Sequence, residues 1–425
     1  MAEPGQLRPQ GPSGDNMNAA RRRALVRLGV SSWAPSWALA AGPARTWSAA
    51  ALTQPEVLHR LHSDDVLGLI GVGASGALYR LAAGALPSAR IAAGLDPAAP
   101  IATGHGRIAA RRADGALAVW EQGRPQGSRG VRLAPQGGLL VLPLAVIGVA
   151  VDAAGATTHR LVRLEPDAAG VWREVARSKA VVLPDARPVQ VDLDGRGDGG
   201  HIAVLAGPDA GRYNHAVLGD GIEATHAMWL ERHDLSPLRE LVLPAPFVFE
   251  DIVLRPVRLE GGSGLLTVRS GPQGGQLALL APDPARAGLL LMRALGDTVG
   301  GFHRWLSPTT DGTRWMAVHT PHIGGVLHEY RLASDRLERR ALGTDISTHR
   351  LGSRELDLSV WLGAQLLVPT QNGRRMRVLE AAGGFAESAS LALPGRLAMA
   401  RAWPAAGGAG VLLDDGRAFH VSASA

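Results

Sequence analysis

Pro188-Val189-Gln190-Val191-Asp192-Leu193-Asp194-Gly195-Arg196-Gly197-Asp198-Gly199-Gly200-His201-Ile202-Ala203-Val204-Leu205-Ala206 reads as a short strand, a tight Asp/Gly loop and a second, apolar strand. The D-x-D-G-x-G-D order of the loop gathers several oxygens within a few residues, which suits a hard cation such as calcium. Strand–turn–strand units without the acidic loop recur on both sides of it. Toward the N-terminus, residues 66–81 turn at Ala74-Ser75-Gly76, 107–120 at Ala113-Asp114-Gly115, and 139–163 at Asp152-Ala153-Ala154-Gly155. Toward the C-terminus follow 212–232, then 265–281 with its Gly271–Gly275 turn and 315–332 with Ile323-Gly324-Gly325. The last two are 364–380 with Gln371-Asn372-Gly373 and 410–422 with Asp414-Asp415-Gly416. Asp-Gly, Asn-Gly and Gly-Gly pairs supply the positive φ of tight hairpins.

Hairpins spaced by roughly 30 to 55 residues with polar links are what a repeat-built β fold needs. One four-stranded unit cannot cover its own faces and stacks on its neighbours round an axis. The spacing predicts an all-β chain: a single β-propeller of seven or eight four-stranded blades over residues 64–425, preceded by a signal segment. The competing architecture is one or two β-sandwiches beside a small α/β domain. The sequence has no G-x-G-x-x-G opening a helix, no Walker loop and no alternating strand–helix rhythm in its favour.

Val191 to Asp198 resembles the calcium loop of FG-GAP/VCBS repeats, the repeats of integrin-like propellers. The resemblance implies a metal set of Asp192, Asp194 and Asp198, at the first, third and seventh ligand positions. Arg196 and Gly200 stand at the fifth and ninth, where the family has oxygen ligands. Two ways of offsetting the carboxylate repulsion remain: calcium, or the Arg196 guanidinium acting as an internal cation.

Composition limits the function classes. The chain has 425 residues, 46% hydrophobic and 19% charged, enough apolar character for a sizeable core. The net charge of +6 invites a nucleic-acid reading, but residues 1–44 hold five arginines against Glu3 and Asp15. The remaining base is spread along the chain without a stripe, so no nucleic-acid partner is expected. Residues 1–44 read as an export signal of twin-arginine type: Arg22-Arg23, the apolar Leu25 and Val26, the base Arg27, and Ala38-Leu39-Ala40 as the cleavage site. Its apolar run is interrupted by Pro35 and is too short to span a bilayer, and no other span is predicted. The chain has no cysteine, which fits an oxidising compartment where thiols are either paired or avoided. A periplasmic or secreted location is expected. Residues 45–63 are read as a lead-in, with a short helix over 47–61.

Eight of the 14 histidines fall between His215 and His349. Three stretches concentrate polar groups: Arg212-Tyr213-Asn214-His215 with Asp220 and Glu223; His319 to His328; and Thr348 to Asp357. Loops of successive blades converge at one end of a propeller's channel, so residues far apart in sequence can meet there. His215, Asp220, Glu223, His319, His322, His349, Arg350, Arg354 and Glu355 are the candidate ligand-binding residues. His319 and His322, three apart, point to opposite sides of an extended segment, which argues against a paired metal site. Ser353, His349 and Asp357 offer hydrolase residue types too locally for an assembled triad. Glu250-Asp251 and Glu355/Asp357 are the carboxylate pairs a glycosidase would need, without a spacing rule behind them. The function expected is an exported binding or scaffolding protein for an unknown protein or small-molecule ligand. The alternative is a periplasmic enzyme, metal-dependent or not, with its active site built by the loops of 212–357.

Overall fold

Apart from 212–232, the hairpins that the turns announce fall into antiparallel blades in a computed structural model of the chain. The structure describes residues 46–424 except 85, 122, 153–156, 198–199, 284–285 and 287–288. The expected export signal therefore lies outside the described residues. Five blades are separate four-stranded sheets, and a 13-stranded sheet holds three more, joined through Val248–Phe249 and a single bridge from Leu295 to Arg336, so the propeller has eight blades. Their innermost strands, from blade 1 to blade 8, are Leu58–Asp64, Ile101–Gly104, Leu139–Val141, Val189–Val191, Arg255–Leu259, Leu306–Thr310, Val360–Leu362 and Leu397–Trp403. The ring closes by mixing the two ends of the chain. Trp47–Ala51 is the outermost strand of blade 8, in register with Ala418–Ala423 from Trp47 opposite Ala423 to Ala51 opposite Phe419.

That closure corrects the lead-in expected over 45–63. No α-helix forms there: Trp47–Ala51 belongs to blade 8 and Leu58–Asp64 to blade 1. The alanines of Trp47-Ser48-Ala49-Ala50-Ala51 favour a helix in isolation, but five paired residues on an open sheet edge override that preference. Residues 212–222 likewise form no strand. They are a long loop between His201–Asp209 and Glu223–Leu230, the second and third strands of blade 4.

Apolar side chains fill the seams between blades rather than one central core. Leu58, Leu61 and Leu69 meet Met399, Trp403 and Leu412 between blades 1 and 8. Ile70 and Leu78 meet Ile108 and Trp120 between blades 1 and 2. A continuous cluster runs through blades 3 to 6, from Ile147 and Leu161 to Trp305 and Leu337. Met316 and Val318 join Leu366 and Val368 between blades 6 and 7. Each blade is thus buried on both faces, which is why its middle strands read as unbroken apolar runs.

Strand alternation sorts the loops. Second and third strands are joined at one end of the ring, where the chain also passes from one blade's outer strand to the next blade's inner strand. First and second strands are joined at the other end. The Asp192 loop, between Val189–Val191 and His201–Asp209, lies at that second end. The segments holding most candidate ligand residues lie at the first.

Candidate functional site

Two long connections build the first end. The 212–222 loop of blade 4 reaches the connector between blades 6 and 7, where Gly352 N donates to Val217 O at 2.9 Å. Gly219 sits against the Arg354 guanidinium. Its φ is +112°, and a Cβ there would stand 2.8 Å from Arg354 Nη1, so glycine is the residue this approach tolerates.

Arg354 is clamped by two carboxylates. Its Nε donates to Asp185 Oδ2 at 2.6 Å, and its Nη2 donates to Asp220 Oδ2. Beside this cluster lies a second pair, whose carboxylate is fully buried. His215 Nδ1 donates to Glu250 Oε1 while Ser270 Oγ donates to Oε2. Glu250 and the adjacent Asp251 have no exposed surface. Asp251 turns the other way, accepting from Arg255. The His215 ring stacks on His303, centroids 4.7 Å apart, and Tyr213 stands edge-on to both while its hydroxyl accepts from His303 N. Trp305 Nε1 donates to Glu250 O at 3.0 Å and lies parallel to the His322 ring.

Glu223 is the group this network leaves over. It opens the third strand of blade 4, is 2% exposed, and receives no side-chain hydrogen bond among the described residues. Burial first, then the charges of Glu250, Asp220, Asp185 and Asp251, push its pKa up to about 10. Its carboxyl is therefore protonated at neutral pH. Burial also raises Asp185, against the pull of Arg354, and raises Glu250 against that of His215 and Ser270. This end of the ring holds a buried acidic cluster short of positive charge.

The neighbouring histidines are neutral. His349 Nε2 donates to Ser353 O at 2.8 Å, so its Nδ1 accepts from His322 Nε2 at 3.0 Å. Burial lowers His349 to about 3 and His322 to about 4. At this end of the ring, Phe302, Ile323 and Leu351 are 59%, 61% and 68% exposed. All three belong to connections at this same end of the ring, and Phe302 stacks on His303.

The structure thus brings together His215, Asp220, Glu223, His322, His349 and Arg354, from three separate sequence stretches. His319 stands apart, within the second strand of blade 6, with its Nε2 on Tyr330 Oη and its Nδ1 accepting from Arg339. Arg350 takes part only through its carbonyl, in a turn with Ser353 N. Glu355 faces the axis and pairs with Arg401 at 2.8 Å. The Ser353 hydroxyl accepts from Glu355 N and does not meet His349, so no local triad exists. Sequence reading missed Asp185, Ser270 and His303 as members, which come from different blades with no local signal; Tyr213 stands out only within its polar stretch, and Glu250 only as a glycosidase carboxylate.

At the opposite end, Asp192 Oδ2 accepts from Gly197 N at 2.9 Å, while its Oδ1 is buried without a partner. Asp194 Oδ2 lies 3.2 Å from Arg196 Nε and 3.8 Å from His201 Nε2. Asp198 lies outside the described residues. Among the described residues no group of three His, Asp or Glu side chains is arranged to hold a metal ion.

No protein-family model and no curated protein matches the sequence. Solved β-propellers match the fold. Sqt1 of Saccharomyces cerevisiae is 10% identical, with 89% of this chain and 99% of that chain covered, at a TM-score of 0.55. The computationally designed protein Ika8 is 7% identical over 88% of this chain and 98% of its own, at 0.53. BamB from Moraxella catarrhalis is 11% identical over 88% and 96%, and its TM-score of 0.49 is too low to carry an argument. These likenesses concern the fold: the chain is a β-propeller. No helix among the described residues is long and apolar enough to cross a membrane.

Proposed function

We propose that this propeller is an exported binding protein that seats a basic group, an ammonium or guanidinium of its ligand or partner, against the acidic cluster round Glu223. One observation carries the reading: Glu223 is 2% exposed with no ion pair or side-chain hydrogen bond among the described residues, in a setting where burial and four neighbouring acids push its pKa up to about 10. A cation entering beside it would displace its proton and turn an unfavourable cluster into an ion pair. The exposed Phe302, Ile323 and Leu351 provide apolar surface at the same end of the ring for the rest of the ligand. Agmatine, which carries one guanidinium and one amine, is a suitable probe for calorimetry. Expected is binding with proton release, seen as heats that vary with the buffer's ionisation enthalpy, and its loss in Glu223→Gln. No binding by the wild type, or equal binding by Glu223→Gln, overturns the reading.

A periplasmic or secreted location is part of the proposal, supported by the Arg22-Arg23 motif and the absence of cysteine. Replacing both arginines by lysine should hold the precursor in the cytoplasm on cell fractionation. Undisturbed delivery would exclude the twin-arginine route. The Asp192 loop supports an FG-GAP/VCBS-type propeller, and that assignment stands as a proposal on this one loop.

A second reading rests on the His215–Glu250 pair. A buried carboxylate that fixes one imidazole nitrogen is how a general base is oriented. Here Ser270 bonds to Glu250, so no nucleophile is poised on the imidazole. Binding is the better-supported function.

A further inference from the structure

Inner strands and the connectors entering them direct arginines toward the axis. Arg60 lies on the innermost strand of blade 1 and Arg401 on that of blade 8, Arg255 opens that of blade 5, and Arg187 precedes that of blade 4. Arg187, Arg255 and Arg401 line a cavity of about 420 Å³ with Glu355, Asp357 and Ser359. That volume is within the roughly 300–1,000 Å³ of small-molecule sites.

Two of the four arginines have a carboxylate. Arg255 donates to Asp251, and Arg401 Nη2 donates to Glu355 Oε2 at 2.8 Å. The other two have none. Arg60 Nη2 donates to the Ala98 carbonyl and Arg187 Nη2 to that of Arg354, and the Nε of each is buried without a partner. Neither forms an ion pair among the described residues.

Glu355 is the one acid that Arg60, Arg187 and Arg401 all feel. Burial, together with the repulsion of Arg187 and Arg401, pulls Arg60 down to about 10 despite Glu355. Burial lowers Arg187 as well, with Arg401 adding to it. Asp357 lines the same cavity, and burial raises its pKa against the pull of Ser359 and Thr309. An unpaired buried charge is costly, and two such arginines, Arg187 on the cavity wall and Arg60 within its electrostatic reach, call for an anion.

We infer that the axial cavity binds a small doubly charged oxyanion, of the phosphate or dicarboxylate kind, between Arg187 and Arg401, with Arg60 adding its charge. Guanidinium groups suit such a ligand because their N–H pairs match two oxygens at once. The site uses other residues and the opposite ligand charge from the acidic cluster, so the two readings fail independently.

Calorimetric titration of the full chain with inorganic phosphate and, separately, with succinate tests this at fixed ionic strength. Saturable binding of at least one is expected, weakened about tenfold or more in both Arg187→Met and Arg60→Met. Arg124→Met, at an exposed position of blade 2, should bind as the wild type does. Arg187→Met without anion should melt no lower than the wild type, because it removes an unpaired charge. Phosphate-only binding assigns a phosphoryl group, and succinate-only binding assigns a dicarboxylate. No saturable binding by the wild type, or undiminished binding by both arginine variants, overturns the inference.

Discussion

The two ends of the ring solve the problem of crowded carboxylates in opposite ways. At the Asp192 end, the acids are close in sequence, lie on a glycine-rich turn, and are answered locally. Burial works against the ionised form of Asp192, yet the amides of Gly197, Gly195 and Arg196 draw its pKa below the ordinary range. At the other end, Asp185, Asp220, Glu223, Glu250 and Asp251 come from connections of different blades. Local amides cannot answer them all, so Arg354, Arg255 and His215 are brought in, and Glu223 is left holding a proton. A loop whose acids are answered mostly by its own amides is legible in the sequence. An assembled cluster left short of charge has capacity for a ligand.

The sharpest way to break this contrast is to vary pH. The Glu223 pKa rises from 4.5 when unfolded to about 10 when folded, so folding takes up a proton between those values. Its contribution to stability is whole below the unfolded pKa and is lost as pH climbs toward the folded one. Glu223→Gln keeps the neutral shape and removes the titration. Near neutral pH it should stabilise the protein by roughly 3 kcal/mol in denaturant unfolding, with a flatter pH profile between the unfolded and folded pKa. An identical pH profile in wild type and variant would mean that Glu223 is ionised in the fold and that the cluster lacks no cation.

The same contrast explains what was readable in the sequence. Middle hairpins such as Gly262–Ser270 with Gln276–Pro282 are visible because both faces are buried and the turns carry Gly, Asp or Asn. Inner and outer strands are not. Ile101–Gly104 faces the axis and Arg124–Gly127 the rim, and both are four residues long with mixed polarity. Trp47–Ala51 misleads for a different reason, since its partner strand lies at the far end of the chain. At the site, His215, Asp220, Glu223, His322, His349 and Arg354 could be grouped because their loops fall at one end of a ring. Which of them touch was hidden. His319 and His322 separate because the strand ends between them, and Glu355 turns to Arg401 although Arg354 beside it turns to Asp185 and Asp220. Arg60 and Arg187 carried no signal at all, since an isolated arginine shows its missing counterion only in three dimensions.

The smallest effect is expected where the sequence is loudest. In the Asp192 loop the cation at hand is Arg196, whose side chain is 73% exposed and 3.2 Å from Asp194. An ion pair so open to water is worth about 0.5 kcal/mol, since screening and side-chain ordering offset most of the attraction. Calcium is the competing proposal, and it would use the buried Oδ1 of Asp192 with Asp194 and backbone carbonyls. The two differ in mass action. An ion that binds only the folded state adds RT ln(1 + [L]/Kd), roughly 2.7 kcal/mol at a hundredfold excess over Kd. With Arg196 as the internal cation, melting should be the same in millimolar calcium and in chelator, and Arg196→Ala should lower stability by about 0.5 kcal/mol. A calcium-dependent rise in melting temperature that disappears in Asp194→Ala would hand the loop to the ion and make both ends of the ring ligand sites.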